Sequence, residues 1–369
     1  MENAIQLLQE QFGAEFGADA VRSVASQINT SYATLSKKLS QYKVSRGKWN
    51  LEITKEKLDE LEDTYSAPAA EPITMIEAVK QNLIPDKDDT FVSFGNFTDI
   101  KKIIQSGLFY PAFITGLSGN GKTFCVEQAC AQLGRELIRV NITIETDADD
   151  LIGGFRLLDG ETVWHNGPVI EALQRGAILL LDEIDLASNK ILCLQSILEG
   201  KGIFLKKIGK FVKPSAGFNI FATANTKGKG SDDGRFIGTN VLNSAMLDRF
   251  PIMMEQAYPT FAIEVKILTK VAEKLNIPMV KEHEDFINHL CTWSEIVRKT
   301  FTDGGIDEVI STRRLVHILK AYSIFGKKSK AINLCLSGFD DETKTCFVEL
   351  YDKIDAEFLN VEERENCLN

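Results

Sequence analysis

The chain has 369 residues, of which 44% are hydrophobic and 25% are charged. This composition is typical of a globular protein with a sizeable core, and the length predicts about two or three domains. The 52 acidic and 42 basic residues give a net charge of −10. That balance argues against broad electrostatic binding of nucleic acid, although it allows a local basic patch.

No segment predicts membrane insertion or export. The longest apolar runs, such as 177–181, are far shorter than the roughly 20 residues of a membrane span. The N-terminus has no basic segment followed by a long apolar run, as a signal peptide would. The seven cysteines form no C-x-x-C pair and are typical of reduced thiols. We therefore expect a cytoplasmic protein.

Residues 1–64 are predicted to form a small helical module, with Thr30 or Ser31 capping a third helix that runs through Leu39. Residues 31–50 contain five basic residues, no acidic one, and interleaved aromatic side chains. Two interpretations stay open. The segment is a helix-turn-helix-like module that contacts nucleic acid or a partner, or it is a solvated helix face, which is the interpretation we favour.

Four further segments follow the N-terminal module. Residues 65–75 are rich in Pro and Ala and predict a semi-rigid linker. From 76 to 257 short apolar runs alternate with helical patterns, which predicts an α/β core with a parallel sheet. The predicted strands cover 109–115, 137–142, 177–181, 218–222 and 252–254. Residues 258–340 predict a helical lid, and 341–369 predict an acidic tail.

The strongest motif is G-x-x-x-x-G-K-[ST] at 116–123, between an apolar run and a helical pattern. Glycines let such a loop wrap phosphates with its N–H groups, and the following helix N-terminus favours an anion. Lys122 is expected to reach the β- and γ-phosphates, and Thr123 to bind Mg²⁺. The predicted nucleotide-binding residues are Gly116, Ser118, Gly119, Asn120, Gly121, Lys122, Thr123 and Phe124.

Two acidic residues follow another apolar run, sixty residues after Lys122. Asp182 is expected to hold Mg²⁺, and Glu183 to polarise the attacking water as the general base. Phosphoryl transfer depends on positioning and on charge neutralisation, and these groups supply both.

Three more residues complete the predicted catalytic set. Asn225 ends the next apolar run and is expected to hold the attacking water beside the γ-phosphate. Arg249 is a candidate finger toward a neighbouring subunit's γ-phosphate, with Arg235 as the reserve. Arg313, at the start of a lid helix, is a candidate sensor of the nucleotide in its own subunit, because a guanidinium contacts phosphate oxygens bidentately.

The order of these motifs resembles that of an AAA+ ATPase. A narrower similarity to the MoxR group, and within it to CobS-like ATPases that phages also carry, lies in the stretches 146–155, 166–170, 224–231 and 237–242. The resemblance covers about 90–325. It implies a P-loop NTPase core with a helical lid, a homo-oligomeric ring that usually has six subunits, Mg-ATP between neighbours, and the cytoplasm of a bacterium or a phage-infected host.

Two predicted hairpins are candidate contacts with a substrate in the pore of such a ring. The first covers 153–167, where Arg156 or Trp164 would grip the substrate, and the alternative is a surface hairpin packed on its own core. The second, 202–214, carries four lysines, which either line the pore or protect a solvated sheet edge.

We expect the chain to remodel an unidentified partner protein through ATP hydrolysis. One alternative is the motor subunit of a cobalt or magnesium chelatase-like complex. Another is a nucleotide-gated nucleic-acid-binding protein that uses 31–50 or 206–213. The last is a ring that binds ATP as a structural ligand and barely hydrolyses it.

Overall fold

A computed structural model describes residues 2–45, 48–51, 81–158, 161–230 and 238–355. The chain divides into two compact units, Met1–Gln81 and Asn82–Asn369. The predicted linker at 65–75 lies outside the described residues. So do Arg235 and the last part of the predicted tail, 356–369.

The first unit combines helices with a small antiparallel sheet. Its elements are α1 Glu2–Phe12, β1 Glu15–Gly17, α2 Ala18–Gln27, α3 Tyr32–Lys38, β2 Lys43–Ser45 and β3 Lys48–Asn50. Ser31 accepts a hydrogen bond from the Thr34 N–H and so caps α3. It is one of the two residues that were predicted as caps of this helix. The prediction of a purely helical module missed the sheet, because its strands have only three residues each and show too little alternation.

The second unit is built on a five-stranded parallel sheet with the order β12-β4-β11-β8-β5. These strands are β4 Ala112–Thr115, β5 Leu137–Asn141, β8 Ile178–Asp182, β11 Asn219–Ala224 and β12 Ile252–Glu255. All five predicted strands are therefore confirmed. The three central strands are buried on both faces, which explains their continuous apolar runs.

Helices cover both faces of this sheet, and each face has its own apolar cluster. The helices before the lid are α4 Phe97–Ser106, α5 Lys122–Leu133, α6 Ala148–Ile152, α7 Pro168–Arg175, α8 Gln195–Leu198 and α9 Ser244–Leu247. Leu179 and Leu181 point to one cluster, and Ile178 and Leu180 point to the other. The sheet is thereby fixed from both sides, with its carboxyl edge left for polar side chains.

Both predicted hairpins are present. The first pairs β6 Gly153–Leu158 with β7 Glu161–Asn166, and its predicted turn at 159–160 lies outside the described residues. Its Phe155 is half-exposed and packs edge-on against Trp164. The second hairpin pairs β9 Ile203–Leu205 with β10 Lys210–Val212.

The lid is helical, as predicted, but it extends beyond residue 340. Its helices are α10 Phe261–Lys274, α11 Lys281–Thr302, α12 Thr312–Phe325, α13 Lys328–Leu336 and α14 Asp341–Ile354. Phe347, Val348 and Tyr351 of α14 are buried in the lid cluster. Residues 341–354 are thus part of the lid and not of a separate tail, because their apolar positions recur at helical spacing. None of the helices in the described ranges has the length and apolarity to cross a membrane.

Candidate nucleotide-binding site

The phosphate loop lies between β4 and α5, and its glycines adopt backbone conformations that other residues rarely take. Gly119 has a φ of +71°, and a Cβ there would lie 2.7 Å from the Ser311 Oγ of the lid. A Cβ on Gly116, whose φ is +146°, would lie 2.3 Å from the carbonyl oxygen of Gln256. The loop can follow this path only because these positions lack a side chain.

Lys122 occupies the first position of α5 and is largely buried. Its Nζ donates to the carbonyl oxygens of Gly116 at 2.6 Å and Leu117 at 2.9 Å, and to the Asn225 Oδ1 at 3.1 Å. Burial lowers the pKa of Lys122 to about 8, although Asp185 and Asp182 act in the opposite direction. This ammonium group is poorly solvated, so an anionic ligand beside it would replace much of the solvation that burial removed.

Asp182 ends β8 and binds three side chains from other elements. The Thr123 hydroxyl donates to its Oδ1 at 2.8 Å, and the Thr223 hydroxyl of β11 donates to the same oxygen. Arg139 of β5 donates to Oδ2 at 2.5 Å. The predicted metal-binding pair, Thr123 and Asp182, is therefore in direct contact.

Glu183 follows Asp182 with its side chain exposed at the cleft. Its backbone has a φ of +58°, in the left-handed region, which costs a non-glycine residue about 1–3 kcal/mol. The Glu183 N–H donates to the Thr223 Oγ1 at 3.2 Å. Thr223 thus connects the carboxylate of Asp182 with the backbone of Glu183 and holds both at the end of β8.

Asn225 lies just past β11, and hydrogen bonds to Asp185 fix the position of its backbone. The buried Asp185 Oδ2 accepts hydrogen bonds from the backbone N–H groups of Asn225 and Thr226, both at 2.9 Å. The Asn225 side chain lines the cleft and contacts Lys122. The predicted amide is thereby placed beside the phosphate loop and the acidic pair.

The lid closes the other side of the cleft with Arg313, at the start of α12. Arg313 lines the cleft, and its N–H donates to the Gly119 carbonyl oxygen at 3.4 Å. Tyr258, just before the lid, donates its hydroxyl to the Ser118 carbonyl oxygen at 2.7 Å. Both contacts join the lid side to the backbone of the phosphate loop.

A buried ionic cluster supports this lid contact. The Glu264 carboxylate accepts two hydrogen bonds from Arg298, at 2.8 and 3.0 Å, and one from the Thr312 hydroxyl at 2.6 Å. The Arg298 guanidinium lies 4.0 Å from the ring centroid of Tyr258. Glu264 therefore connects α10 with Arg298 of α11 and with Thr312, the residue before Arg313. Through Arg298 it is also linked to Tyr258, which contacts the phosphate loop.

Between these two sides lies a cleft of about 930 Å³. One part of its lining is apolar. Phe91 and Phe124 lie there edge-to-face, with 5.4 Å between their ring centroids, and the lid contributes Val316. The other part holds the phosphate loop and the polar groups described above. The cleft thus combines an apolar region with a cationic and acidic one, which suits a ligand with a planar base and a polyphosphate.

Arg249 lies apart from this cleft in its own chain. Its guanidinium forms an ion pair with Glu199 at 2.7 Å and also donates to the Ala245 carbonyl oxygen. It is not among the residues that line the cleft. Arg235 lies outside the described residues.

Several residues of this arrangement were not predicted as site residues. They are Arg139, Asp185, Thr223, Tyr258, Glu264 and Arg298. Asp185 had a signal, since it lies three residues after Asp182 in an acidic run. The others come together through strand register and lid packing, for which a single sequence carries no signal.

A parallel sheet with a phosphate loop after the buried strand β4, and with acidic and amide side chains at the ends of β8 and β11, defines a P-loop nucleoside-triphosphate-binding domain. Residues 111–250 match the family model described as an AAA domain of the dynein-related subfamily.

Curated relatives extend this similarity beyond the matched domain. The chain is 27% identical over 271 residues to the aerobic cobaltochelatase subunit CobS of a Sinorhizobium species, covering 72% of this chain and 80% of that protein. An uncharacterised protein of Staphylococcus epidermidis is 30% identical over 234 residues, 60% of this chain and 81% of the relative. Protein NorQ of Paracoccus denitrificans is 32% identical over 162 residues, covering 43% and 57% respectively. The chain belongs to the AAA+ ATPases, in their MoxR and CobS-like group.

Proposed function

We propose that this chain is a ring-forming ATPase that hydrolyses Mg-ATP at subunit interfaces in order to remodel a partner protein. One observation carries the proposal: a single cleft is lined by the phosphate loop, by Asp182 and Glu183, by Asn225 and by Arg313. A merely structural nucleotide site would need only the loop. The acidic pair and the lid arginine supply groups for turnover and for its coupling to lid movement.

The residues beside the phosphate loop fit a nucleotide and its metal ion. The N–H groups at the start of α5 and the poorly solvated Lys122 would bind the β- and γ-phosphates. Thr123 and Asp182 offer adjacent oxygens, which are the ligands that Mg²⁺ prefers. These two residues would hold Mg²⁺, which when bound neutralises charge on the phosphate oxygens.

Glu183 is the proposed general base. Its side chain is exposed to the cleft. Among the described residues, none donates a hydrogen bond to its carboxylate. Asn225, held by Asp185, would orient the attacking water, and Arg313 would contact the nucleotide from the lid. Arg249 would act on a neighbouring subunit's nucleotide, since it lies outside the cleft of its own chain.

Similarity to CobS supports a second candidate function, because it extends over 72% of this chain. CobS is named as a subunit of an aerobic cobaltochelatase. In that case this chain would be the motor subunit of a chelatase-like complex. Purification from its native cell would then recover a companion subunit that binds a tetrapyrrole, whereas a remodelling ATPase would be recovered without one.

The test of the first proposal compares wild type with Glu183→Gln, which keeps the shape of the side chain and removes the base. We expect the variant to bind a fluorescent ATP analogue with wild-type affinity and to lose about 10²–10⁴-fold in phosphate release, the range for a general base. The control is Glu284→Gln, which changes an exposed carboxylate on the lid helix α11 and should leave both values unchanged. Near-normal turnover by Glu183→Gln would remove Glu183 from this role.

A further inference from the structure

The N-terminal unit has an element order that the ATPase site does not explain. Its elements follow one another as α1-β1-α2-α3-β2-β3, and the sheet has the order β1-β3-β2, with β1 and β2 both antiparallel to β3. This is the arrangement of a winged helix-turn-helix module, in which α2 and α3 form the helix pair and β2 and β3 form the wing.

The connection between α2 and α3 has the features of a helix-turn-helix turn. It covers 28–31, a length typical of that motif. Asn29 adopts the left-handed region with a φ of +55°, which Asn tolerates better than most residues. Ser31 then caps α3. The chain therefore ends one helix and starts the next within a single tight turn.

A shared apolar core fixes which side of α3 is free. Leu35 and Leu39 are buried with Val21 and Val24 of α2 and with Trp49 of β3. The opposite side of α3 exposes Ala33 and Thr34 in the first turn, and Lys37 and Lys38 in the last. The major groove admits an α-helix, whose N-terminal residues contact base edges, and lysines can contact the phosphates that line the groove.

Charge is distributed unevenly over this unit. Residues 20–51 contain six basic and no acidic residues, although the whole chain carries a net charge of −10. Lys37 and Lys38 on α3, Lys43 on β2 and Lys48 on β3 are all exposed. The acidic residues of residues 1–51 all precede residue 20, on α1, on β1 or at the start of α2. The helix-turn-helix face and the wing are thus basic, while residues 1–19 are acidic, and residues 52–81 of the same unit contain eight acidic and three basic residues.

We propose that this unit binds double-stranded DNA, with α3 in the major groove and with the lysines of the wing strands on the flanking phosphates. The major groove of the duplex has the width to admit an α-helix, and phosphate contacts from lysine provide affinity without sequence dependence. A solvated helix face would need neither the wing topology nor the separation of charges. The proposal is independent of the ATPase function, because its residues lie outside the described cleft.

The experiment measures fluorescence anisotropy of a labelled random duplex with the full chain, without nucleotide, at several salt concentrations. With four lysines each neutralising one phosphate, the affinity should fall on the order of 100-fold between about 50 and 200 mM salt. Lys37→Ala/Lys38→Ala should weaken binding at least tenfold at low salt and reduce the slope of log affinity against log salt by about two. The matched control, Lys281→Ala/Lys299→Ala, removes two exposed lysines from the lid and should change neither value.

A second variant, Lys43→Ala/Lys48→Ala, tests the wing separately, and circular dichroism checks that each variant is folded. Phosphate release should be unchanged in both. The proposal is overturned if the wild type does not bind duplex at low salt, or if the lid control weakens binding as much as the N-terminal variants do. It is also overturned if poly-glutamate displaces the duplex at equal charge concentration, since the surface would then be suited to an acidic protein.

Discussion

The two sides of the nucleotide cleft are built in different ways. On the sheet side, the acidic pair, Thr223 and Asn225 end adjacent parallel strands, so buried backbone pairing fixes their spacing. On the lid side, contact with the phosphate loop depends on the Arg313 N–H and the Tyr258 hydroxyl, each with one loop carbonyl oxygen. The sheet side therefore holds the proposed catalytic groups in place, whereas the lid side can separate from the loop by breaking few hydrogen bonds.

This difference assigns different tasks to the two sides. Changes on the sheet side should act on turnover, because they displace the proposed catalytic groups. Changes to the contacts that hold the lid should act on lid stability and on nucleotide affinity, because the lid contributes Val316 and other apolar residues to the lining of the cleft. A sheet-side variant that changed only nucleotide affinity, or a lid-contact variant that changed only turnover, would contradict this division.

The largest expected effect is on the lid. Glu264→Gln would leave the largely covered Arg298 without its buried carboxylate partner, and removal of one partner of a buried ion pair costs about 3–5 kcal/mol. We expect a clear decrease in the melting temperature and weaker ATP binding. Glu282→Gln removes an exposed carboxylate that pairs with Lys328 at 3.4 Å. It is the matched control and should cost no more than about 1 kcal/mol. Equal melting temperatures for the two variants would contradict the assigned role of Glu264.

On the sheet side, Thr223→Val removes the hydroxyl that connects Asp182 with the Glu183 backbone. Leaving these buried groups without their partner should lower the free energy of unfolding by about 1–3 kcal/mol. We also expect kcat to fall at least about tenfold, with KM nearly unchanged. Thr223→Ser keeps the hydroxyl and should retain most of the turnover. A variant that raised KM alone would place Thr223 in nucleotide binding instead of positioning.

Lys122 predicts a pH dependence in which affinity and stability change in opposite directions. Its pKa of about 8 in the folded protein lies below the value of 10.5 expected when exposed. As pH rises from 8 to 9 the ammonium is lost, so ATP affinity should fall up to about tenfold. The unfolded chain binds the additional proton between pH 8 and 10.5, so the free energy of unfolding without nucleotide should rise over that window.

Titration calorimetry in buffers of different ionisation enthalpy would detect proton uptake on ATP binding above pH 8. Lys122→Arg keeps its charge at these pH values and should bind ATP without proton uptake. If wild type and Lys122→Arg showed the same pH profile, another group would be responsible.

The smallest expected effect is that of Tyr258→Phe, which removes the hydrogen bond to the Ser118 carbonyl oxygen. One such bond contributes about 0.5–1.5 kcal/mol, so KM for ATP should rise only a few fold while kcat stays within about twofold. Tyr110→Phe, on a half-exposed tyrosine outside the cleft, serves as the control. A large decrease in kcat would mean that the lid contact also positions the reacting groups.

The sheet side was largely predictable from the sequence. A buried parallel strand has a continuous apolar run, and the residues after it lie at the carboxyl edge, so the pattern alone assigns 116–123, Asp182 and Asn225 to that edge. Thr223 and Arg139 were missed. Their contacts with Asp182 depend on which strands are neighbours and in which register, and that information is spread over distant segments.

The lid and the N-terminal unit were predictable only in outline. Helical spacing indicated lid helices, but the partnership of Glu264 with Arg298 depends on how α10 packs against α11. The acidic start of α14 suggested a tail, whereas its buried Phe347 and Tyr351 belong to the lid core. In the first unit the basic segment was recognised, but the short strands that define its topology were not.

The most direct test of the proposed trans-acting site mixes two inactive proteins. Glu183→Gln lacks the proposed base, Arg249→Ala lacks the proposed finger, and each alone should release almost no phosphate. If Arg249 acts across an interface, a random equal mixture should recover about a quarter of the wild-type turnover, because a quarter of the interfaces then pair an intact Glu183 with an intact Arg249. Light scattering in Mg-ATP would show whether the mixture assembles. An assembled mixture no more active than its components would contradict a site shared between subunits.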